Sequence, residues 1–189
     1  MSAGKLIVGI TGASGVIYGI RLLEAISTVT KVSTELILSP SAEQNIGFET
    51  DHTVDSVKSL ADVVYEHANM AAGPSSGSYM TKGMVVAPCS IRTLSNIANS
   101  NCENLLVRAA DVTLKEGRKL VLVPRETPLN KGHIRLMGLA VEMGAIILPP
   151  MPAFYHKPET VNDIIDHIVG KIFDQFGIEH SLFRRWGGD

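Results

Sequence analysis

Short apolar runs alternate with amphipathic stretches along most of this chain. Five of the runs are rich in aliphatic and β-branched residues, which is typical of buried parallel strands. They cover residues 6–10, 32–38, 84–87, 120–123 and 145–148. Because helical periodicity lies between them, the pattern predicts an α/β fold with a mainly parallel sheet and helices on both of its faces.

The stretches between the runs carry the spacing and the terminal residues of helices. After the first run, one helical face collects the apolar residues Ile17, Ile20, Leu23 and Ile26. Ser39 and Pro40 resemble an N-cap followed by proline at the first helical position. Further helices are predicted over residues 104–116, 133–143 and 161–176. Thr160 and Asp163 form a capping-box pattern before the last of them.

A glycine-rich turn, Thr11-Gly12-Ala13-Ser14-Gly15, joins the first predicted strand to the first predicted helix. Such a turn directs free backbone N–H groups and the positive end of a helix at one point, which favours an anion and most often a phosphate. An ordinary tight turn between strand and helix is the plainer alternative.

The spacing of this turn argues against two common nucleotide sites. The glycines are arranged G-x-x-G-x-x-G, whereas a dinucleotide fingerprint has G-x-G-x-x-G and an acidic residue after the second strand. Here the second run ends in Ser39. NAD is therefore not expected. No lysine follows Gly15, as a P-loop would require.

Composition agrees with a single domain over residues 1–189, because 45% hydrophobic content can fill one core. The net charge of −2 gives no reason to expect nucleic acid or an anionic membrane as partner. Two cysteines make no disulfide framework, so we expect a cytoplasmic protein. No apolar stretch approaches the ~20 residues of a membrane span. The six histidines lack metal-ligand spacing, and no metal site is expected.

Polar residues follow the third and fourth predicted strands. Ser90 and Thr93 stand at a second helix start, where they could cap the helix or hold a phosphate or flavin. Arg125 and Glu126 are poorly placed for a core and well placed for a ligand, where the arginine would pair with an anion and the glutamate could move a proton. An exposed ion pair is the alternative. Cys89 is interpreted as a small buried residue rather than a nucleophile.

Several cations recur late in the chain. Arg108 and Lys115 are seven residues apart and share a helical face. They form either a solvated stripe or a site for a second phosphate. Tyr155, in a proline-rich loop, and Lys171, in the last helix, are candidates for the same task.

Six motifs taken in order closely resemble the UbiX-like flavin prenyltransferases, and the likeness runs nearly end to end. The motifs are Thr11-Gly12-Ala13-Ser14-Gly15, Pro88-Cys89-Ser90, Arg108-Ala109-Ala110-Asp111-Val112, Leu114-Lys115-Glu116, Val123-Pro124-Arg125-Glu126-Thr127-Pro128 and Pro152-Ala153-Phe154-Tyr155. The closing Arg185-Trp186-Gly187 fits as well. The resemblance implies a Rossmann-like flavoprotein fold, a three-layer α/β/α arrangement.

It also implies the site. FMN would bind at Gly12, Ala13, Ser14, Ser39, Ser90, Ile91, Arg92, Thr93 and Arg125. The second substrate would be dimethylallyl monophosphate, with its phosphate held by Lys115, Arg125, Tyr155 and Lys171. Many members have arginine where this chain has Lys171, and lysine keeps the charge but lacks the bidentate fork. Tyr155 or Trp186 would add an aromatic face to an allyl cation. Proton-transfer candidates are Ser14, Glu49 and Glu126.

The implied reaction joins a dimethylallyl group to N5 and C6 of reduced FMN without Mg²⁺. The product would serve a UbiD-like decarboxylase in ubiquinone biosynthesis or aromatic-acid breakdown. The implied assembly is a homododecamer with sites at subunit junctions. A non-catalytic FMN carrier for a partner decarboxylase stays open as an alternative, although Lys115, Arg125, Glu126 and Tyr155 favour catalysis. A flavin-dependent cysteine decarboxylase is a third possibility, but the region from Thr11 to Ser39 has no histidine.

Overall fold

The structure is a computed structural model that describes residues 4–187, and it is organised around one six-stranded sheet. The strands are β1 Lys5–Ile10, β2 Ser33–Leu38, β3 Val63–Tyr65, β4 Gly83–Cys89, β5 Lys119–Pro124 and β6 Ile146–Ile147. They are ordered β3-β2-β1-β4-β5-β6, and every neighbouring pair is parallel. The predicted parallel sheet is thereby confirmed.

Within the described residues, seven α-helices cover the two faces of the sheet, and a short 3-10 helix spans Gly73–Ser75. The α-helices are α1 Ile17–Val29, α2 Pro40–Glu49, α3 Val54–Lys58, α4 Ile91–Ala98, α5 Leu105–Lys115, α6 Lys131–Glu142 and α7 Val161–Phe176. On one face, α1 and α7 bury Leu23 and Phe173 against the sheet in a core to which α2 and α3 also contribute. On the other face, α4, α5 and α6 enclose a second core around Leu94 and Leu106. The layers are thus helix, sheet, helix, as in a Rossmann-like fold.

Element boundaries follow the sequence pattern closely where a helix has a clear cap. Helix α7 has the predicted bounds, and the Thr160 hydroxyl accepts the Asp163 N–H as a capping box requires. Ser39 caps α2 in the same way through the Ala42 N–H. Helix α6 starts at Lys131 behind an Asn130 cap, two residues before the predicted start at His133.

Strand β3 was missed by the sequence analysis. It has three residues, and Val63 and Val64 are 39% and 37% exposed. A strand at the edge of a sheet needs no long apolar run, because one of its sides has no partner strand. Periodicity alone therefore gave too weak a signal.

The chain order reverses between β1 and β4, which are neighbours in the sheet but not in sequence. From that point the connections lead to opposite sides, and a crevice opens above the carboxyl ends of the strands. The two strand ends are joined through Thr11, whose buried hydroxyl donates to the Pro88 carbonyl at 2.8 Å and accepts the Ser90 N–H at 2.8 Å. This crevice is where a ligand site is expected.

Helix α1 passes unusually close to β4 at Gly19. A Cβ on this residue would collide with the Ala87 carbonyl oxygen and lie 2.6 Å from Ile10 Cδ1. Because the Ala87 carbonyl is a backbone group of β4, it could make room for a Cβ only if the strand itself moved. The absence of a side chain at Gly19 therefore sets how tightly α1 sits on the sheet.

We expect Gly19→Ala to lower the free energy of unfolding by about 1–3 kcal/mol, since the added methyl overpacks the contact with β4. Gly47→Ala is the matched control, because Gly47 is also helical but a Cβ there meets nothing within 4 Å. The control should gain about 1 kcal/mol from helix propensity. Denaturant titrations at one protein concentration measure both. Equal stability of the two variants would contradict the close-packing argument.

Candidate functional site

Backbone hydrogen bonds draw four loops together at the carboxyl edge of the sheet. The Ser39 N–H donates to the Ile10 carbonyl at 3.0 Å, the Thr11 N–H to Pro88 at 3.2 Å, and the Arg125 N–H to Cys89 at 3.3 Å. The loops after β2, β1, β4 and β5 therefore lie side by side. They bring to one edge the residues that the family resemblance implies for FMN, namely Gly12, Ala13, Ser14, Ser39, Ser90, Ile91, Arg92, Thr93 and Arg125.

The backbone N–H groups of the glycine turn bind the side-chain carboxylate of Glu49. Gly15 has φ +99°, a left-handed conformation that glycine adopts without strain. Its N–H donates to Glu49 Oε2 at 2.7 Å, and the Val16 N–H donates to the same oxygen at 3.2 Å. A negative charge at the start of α1 also complements the helix dipole. These N–H groups are thus occupied where the sequence analysis expected them free for phosphate.

Two other helix starts face the same crevice and retain N–H groups for a ligand. The Ser39 hydroxyl accepts the Ala42 N–H at the start of α2. The Ser90 hydroxyl accepts the Thr93 N–H at 3.2 Å and donates to Thr93 Oγ1 at 3.0 Å at the start of α4. A side-chain cap satisfies one of the several orphan donors in a first turn. The hydroxyls therefore act as caps and still leave anion-binding donors beside them.

Ile91 and Arg92 differ in what they can offer a ligand. Ile91 packs partly against the second core, which fixes the first turn of α4. The Arg92 side chain is 84% exposed and lies 3.4 Å from Glu103. Its guanidinium is therefore an exposed surface charge, and a weak ion pair of this kind costs little to exchange for another anion.

Arg125 and Glu126 do not pair with each other. Within residues 4–187, the Arg125 side chain has neither a hydrogen bond nor an ion pair, and Glu126 Oε1 accepts the N–H of Thr127 at 3.0 Å. Both line a cavity of about 190 Å³ with Leu129, Met137 and Met151. The exposed ion pair considered as the alternative does not form, and the arginine is free for an anion.

Tyr18 is a site residue that the sequence analysis missed. It lies in the first turn of α1 and packs partly against the first core. Burial raises the pKa of its phenol above the ordinary value, while the positive charge of Arg125 acts in the opposite direction. The Tyr18 ring also lies against the glycine turn, since a Cβ built on Gly15 would be 3.0 Å from it. Its position in an apolar helix face gave no hint of this.

The three proton-transfer candidates fall into two places. Ser14 is exposed and adjoins Gly15, so it lies beside the Glu49 carboxylate. Glu126 follows β5, two strands away from β1 in the sheet. At the usual strand spacing this is about 10 Å across the crevice. The carboxylates thus flank the site from opposite sides.

Within one chain, Lys115 lies near the amino ends of the strands, on the opposite side of the sheet from the crevice. It ends α5 just before β5 begins and pairs with Glu116 at 2.5 Å. Arg125 follows the far end of β5, so six strand residues separate the two cations, or about 20 Å. Arg108 is also engaged elsewhere, because it pairs with Asp111 at 2.7 Å and donates to the Ser75 carbonyl.

Tyr155, Lys171 and Trp186 form one cluster along α7. The Tyr155 and Trp186 rings meet edge to face with centroids 5.7 Å apart. Next to these rings, the Asp174 carboxylate forms ion pairs with Lys171 at 3.2 Å and with Arg185 at 2.7 Å. The chain after α7 thus folds back along its own helix. No hydrogen bond or ion pair among the described residues joins this cluster to Arg125.

One further expectation concerns the reactivity of Cys89. Cys89 is fully buried at the end of β4, and burial raises the pKa of its thiol to about 12. It is therefore a neutral core residue, as the sequence analysis interpreted it.

Over residues 4–187, no group of three or more His, Cys, Asp or Glu side chains is arranged as a possible metal site. In the same range, no helix combines the length and the apolar character needed to cross a membrane.

Comparison with known proteins finds the same architecture and closely similar sequences. The Flavoprotein family model matches residues 1–173. Flavin prenyltransferase UbiX of Thauera aromatica is 53% identical over 185 residues, which cover 98% of this chain and 95% of that protein. The structure of AnUbiX (PadA1) in complex with FMN and dimethylallyl pyrophosphate is 45% identical and covers 98% of both chains with a TM-score of 0.96. A dodecameric FMN-dependent UbiX-like decarboxylase from Escherichia coli O157:H7 is 50% identical, with a TM-score of 0.95 over 97% of this chain and all of that one.

The Asp174 cluster predicts a pH-dependent tail. Burial alone would raise the pKa of Asp174, but hydrogen bonds from Arg185, Lys171 and His180 outweigh it and lower the pKa to about 2. Because the folded pKa lies below the ordinary value of 3.8, the stabilisation is complete above about pH 4 and is lost as the pH falls towards 2. Acidification over this window should shift the emission of Trp186, the only tryptophan.

Asp174→Asn should show the shifted emission already at pH 5 and little further change on acidification. Asp163→Asn is the control, since Asp163 caps the opposite end of α7 and should leave the Trp186 transition in place. Circular dichroism confirms that the helices persist over the titration. Identical Trp186 emission in Asp174→Asn and the unmodified protein would show that Asp174 does not hold the tail.

Proposed function

The chain belongs to the Flavoprotein family and, within it, to the UbiX-like flavin prenyltransferases, and from this premise we propose how its residues divide the work of prenyl transfer. The enzyme, a single flavoprotein domain, transfers a dimethylallyl group from dimethylallyl monophosphate to N5 and C6 of reduced FMN. The observation that carries this assignment is the joining of four loops at the carboxyl edge, with two helix starts and an Arg125 side chain that pairs with no other group within residues 4–187.

The donor groups at this edge suit FMN. Its phosphate would be held by N–H groups at the starts of α2 and α4 together with the hydroxyls of Ser39, Ser90 and Thr93. Gly12, Ala13 and Ser14 approach the ring from the β1 end. When bound in its reduced state, FMN supplies an electron-rich ring that accepts the prenyl group. This division leaves the start of α1 to Glu49.

Arg125 is the cation best placed for the phosphate of the donor. It is exposed at the cavity mouth and has no competing carboxylate among residues 4–187. As the C–O bond of the donor breaks, negative charge grows on the leaving phosphate, and a preorganised cation stabilises that charge most at the transition state. Lys171 and the Tyr155 hydroxyl would hold the other oxygens. Trp186 would offer its ring face to the allyl cation.

Ser14, Glu49 and Glu126 would move protons. Two N–H groups fix Glu49 Oε2, so Oε1 is left to exchange a proton with the Ser14 hydroxyl or the flavin ring. Glu126 has a similar arrangement, with Oε1 on the Thr127 N–H and Oε2 left over. Carboxylates on opposite sides of the crevice can serve the two different ring positions. General acid–base groups typically contribute about 10²–10⁴-fold to a rate.

Lys115 requires an oligomer if it is to reach the same phosphate. It lies about 20 Å from Arg125 along β5 in its own chain, so a neighbouring subunit would have to supply it. The dodecamer of the Escherichia coli relative supports a dodecamer here. A heterologous contact, in which one edge of a subunit meets the opposite edge of the next, would pair Lys115 with the neighbour's crevice.

The product would pass to a UbiD-like decarboxylase in the cytoplasm, in ubiquinone biosynthesis or aromatic-acid breakdown. The reaction is tested by mass spectrometry of flavin extracted after incubation with reduced FMN and dimethylallyl monophosphate. The expected species is FMN heavier by one dimethylallyl unit. Parallel incubations with dimethylallyl pyrophosphate and with oxidised FMN test the donor and the flavin state. Recovery of unmodified FMN from a protein that binds it would instead identify an FMN carrier.

Arg125→Ala should slow single-turnover prenyl transfer about a hundredfold, the cost of roughly 3 kcal/mol for one lost charge contact at the transition state. FMN affinity should change much less, because the helix starts hold its phosphate. Arg135→Ala, on the exposed face of α6, is the control for loss of one surface arginine. Stopped-flow spectroscopy of the flavin follows the step. An unchanged rate in Arg125→Ala would remove Arg125 from the mechanism.

Sharing of the site is tested by mixing Lys115→Ala and Arg125→Ala subunits, each strongly impaired alone, and reassembling them. If Lys115 acts in a neighbour's crevice, some mixed junctions combine both intact residues, and roughly a quarter of full activity should return. Each variant reassembled alone is the control and should keep its own low rate. No recovery in oligomers shown by mass spectrometry to be mixed would mean that each chain uses its own Lys115.

A further inference from the structure

A pair of stacked imidazoles supports Tyr155 from inside the protein. His167, on α7, is 6% exposed, and its Nε2 lies 3.2 Å from the Tyr155 hydroxyl. The His156 ring stacks on it with centroids 5.0 Å apart and planes inclined by 6°. Phe183 closes the other side, with its ring centroid 4.7 Å from that of His167. The imidazole therefore has one polar contact and is otherwise enclosed by rings.

The surroundings of His167 favour the neutral form of its imidazole. Burial lowers the pKa of its imidazole, and the nearby His156 and Lys171 act in the same direction, with Asp174 opposing them. A neutral imidazole has one N–H and one lone pair. Its Nδ1 is buried and has no partner among residues 4–187. Only Nε2 is engaged, so its protonation state decides what the Tyr155 hydroxyl can do.

Two proton arrangements are possible between these groups. If Nδ1 carries the proton, the tyrosine O–H donates to Nε2 and its oxygen can only accept, which sets lone pairs against an anionic phosphate. If Nε2 carries the proton, it donates to the tyrosine oxygen and frees the O–H for a phosphate oxygen. The second arrangement also avoids a buried N–H without an acceptor, a rare and costly situation. An anionic ligand therefore selects the second arrangement.

We propose that His167 is a positioning residue that donates from Nε2 to the Tyr155 oxygen and so directs the single Tyr155 O–H at the phosphate of the prenyl donor. The inference rests on the proposed role of Tyr155 as a ligand of that phosphate. His167 does not touch substrate. It acts by setting the donor direction of a residue that does, and the stack with His156 and Phe183 holds its ring in the required plane.

The test measures binding without turnover. Dimethylallyl monophosphate is titrated calorimetrically into the assembled protein loaded with oxidised FMN, and KM and kcat are then measured with reduced FMN. His167→Leu should weaken donor binding and raise KM about tenfold, as expected for impairing a hydrogen bond to a charged group. The kcat should change less than twofold. His167→Gln keeps an amide N–H for Tyr155 and should recover most of the affinity.

Tyr155→Phe separates positioning from packing. In that background there is no hydroxyl to direct, so adding His167→Leu should cause no further loss of donor affinity. His156→Phe, which keeps the stack but changes no hydrogen bond to Tyr155, is the control and should bind as the unmodified protein does. Equal losses from His167→Leu with and without the Tyr155 hydroxyl, or no rescue by His167→Gln, would overturn the proposal.

The outcomes also distinguish this inference from the function on which it rests. If Tyr155→Phe binds dimethylallyl monophosphate as tightly as the unmodified protein, Tyr155 is not a phosphate ligand, and the role of His167 falls with it. If Tyr155→Phe weakens binding but His167→Leu does not, only the role of His167 is overturned. Circular dichroism and native mass spectrometry establish that each variant is folded and assembled before it is titrated.

Discussion

The site depends on one buried hydroxyl. Thr11 joins the ends of β1 and β4 at the point where the sheet reverses its order, donating to the Pro88 carbonyl and accepting the Ser90 N–H. At 1% exposure it exchanges no partner with solvent. Because Thr11 is the first residue of the glycine turn and Ser90 caps α4, these two hydrogen bonds fix the position of the turn relative to α4. The adjoining Ser39 and Arg125 loops are then aligned by ordinary ladder bonds of the sheet.

Much of this arrangement follows from local sequence. The strands that enter the core, the caps of α2, α4 and α7 and the neutral Cys89 are properties of short segments, which periodicity and cap chemistry report directly. The parallel sheet then brings residues separated by more than a hundred positions, such as Gly12 and Arg125, to one edge. Sequence could therefore predict which loops meet at the crevice.

What sequence could not predict depends on contacts between elements. Glu49 is the last residue of the ten-residue helix α2, and this length brings it to the Gly15 N–H. No residue near the end of α2 predicts that length. Tyr18 belongs to an apolar helix face, and nothing local shows that Arg125 is near it. The distance between Lys115 and Arg125 also cannot be read from their motifs. It follows from their positions at opposite ends of β5. These are properties of the packed chain and of its assembly.

The burial of Cys89 bears on survival of the enzyme during its own chemistry. Reduced flavins pass electrons to dioxygen and release peroxide, and this cysteine directly precedes a residue proposed to hold FMN. Peroxide attacks thiolates, and oxidation proceeds from there to sulfenic and then irreversible acids. With its pKa raised to about 12 by burial, the Cys89 side chain stays protonated and is a poor target. The same close packing that supports the crevice thus protects its floor from oxidative damage.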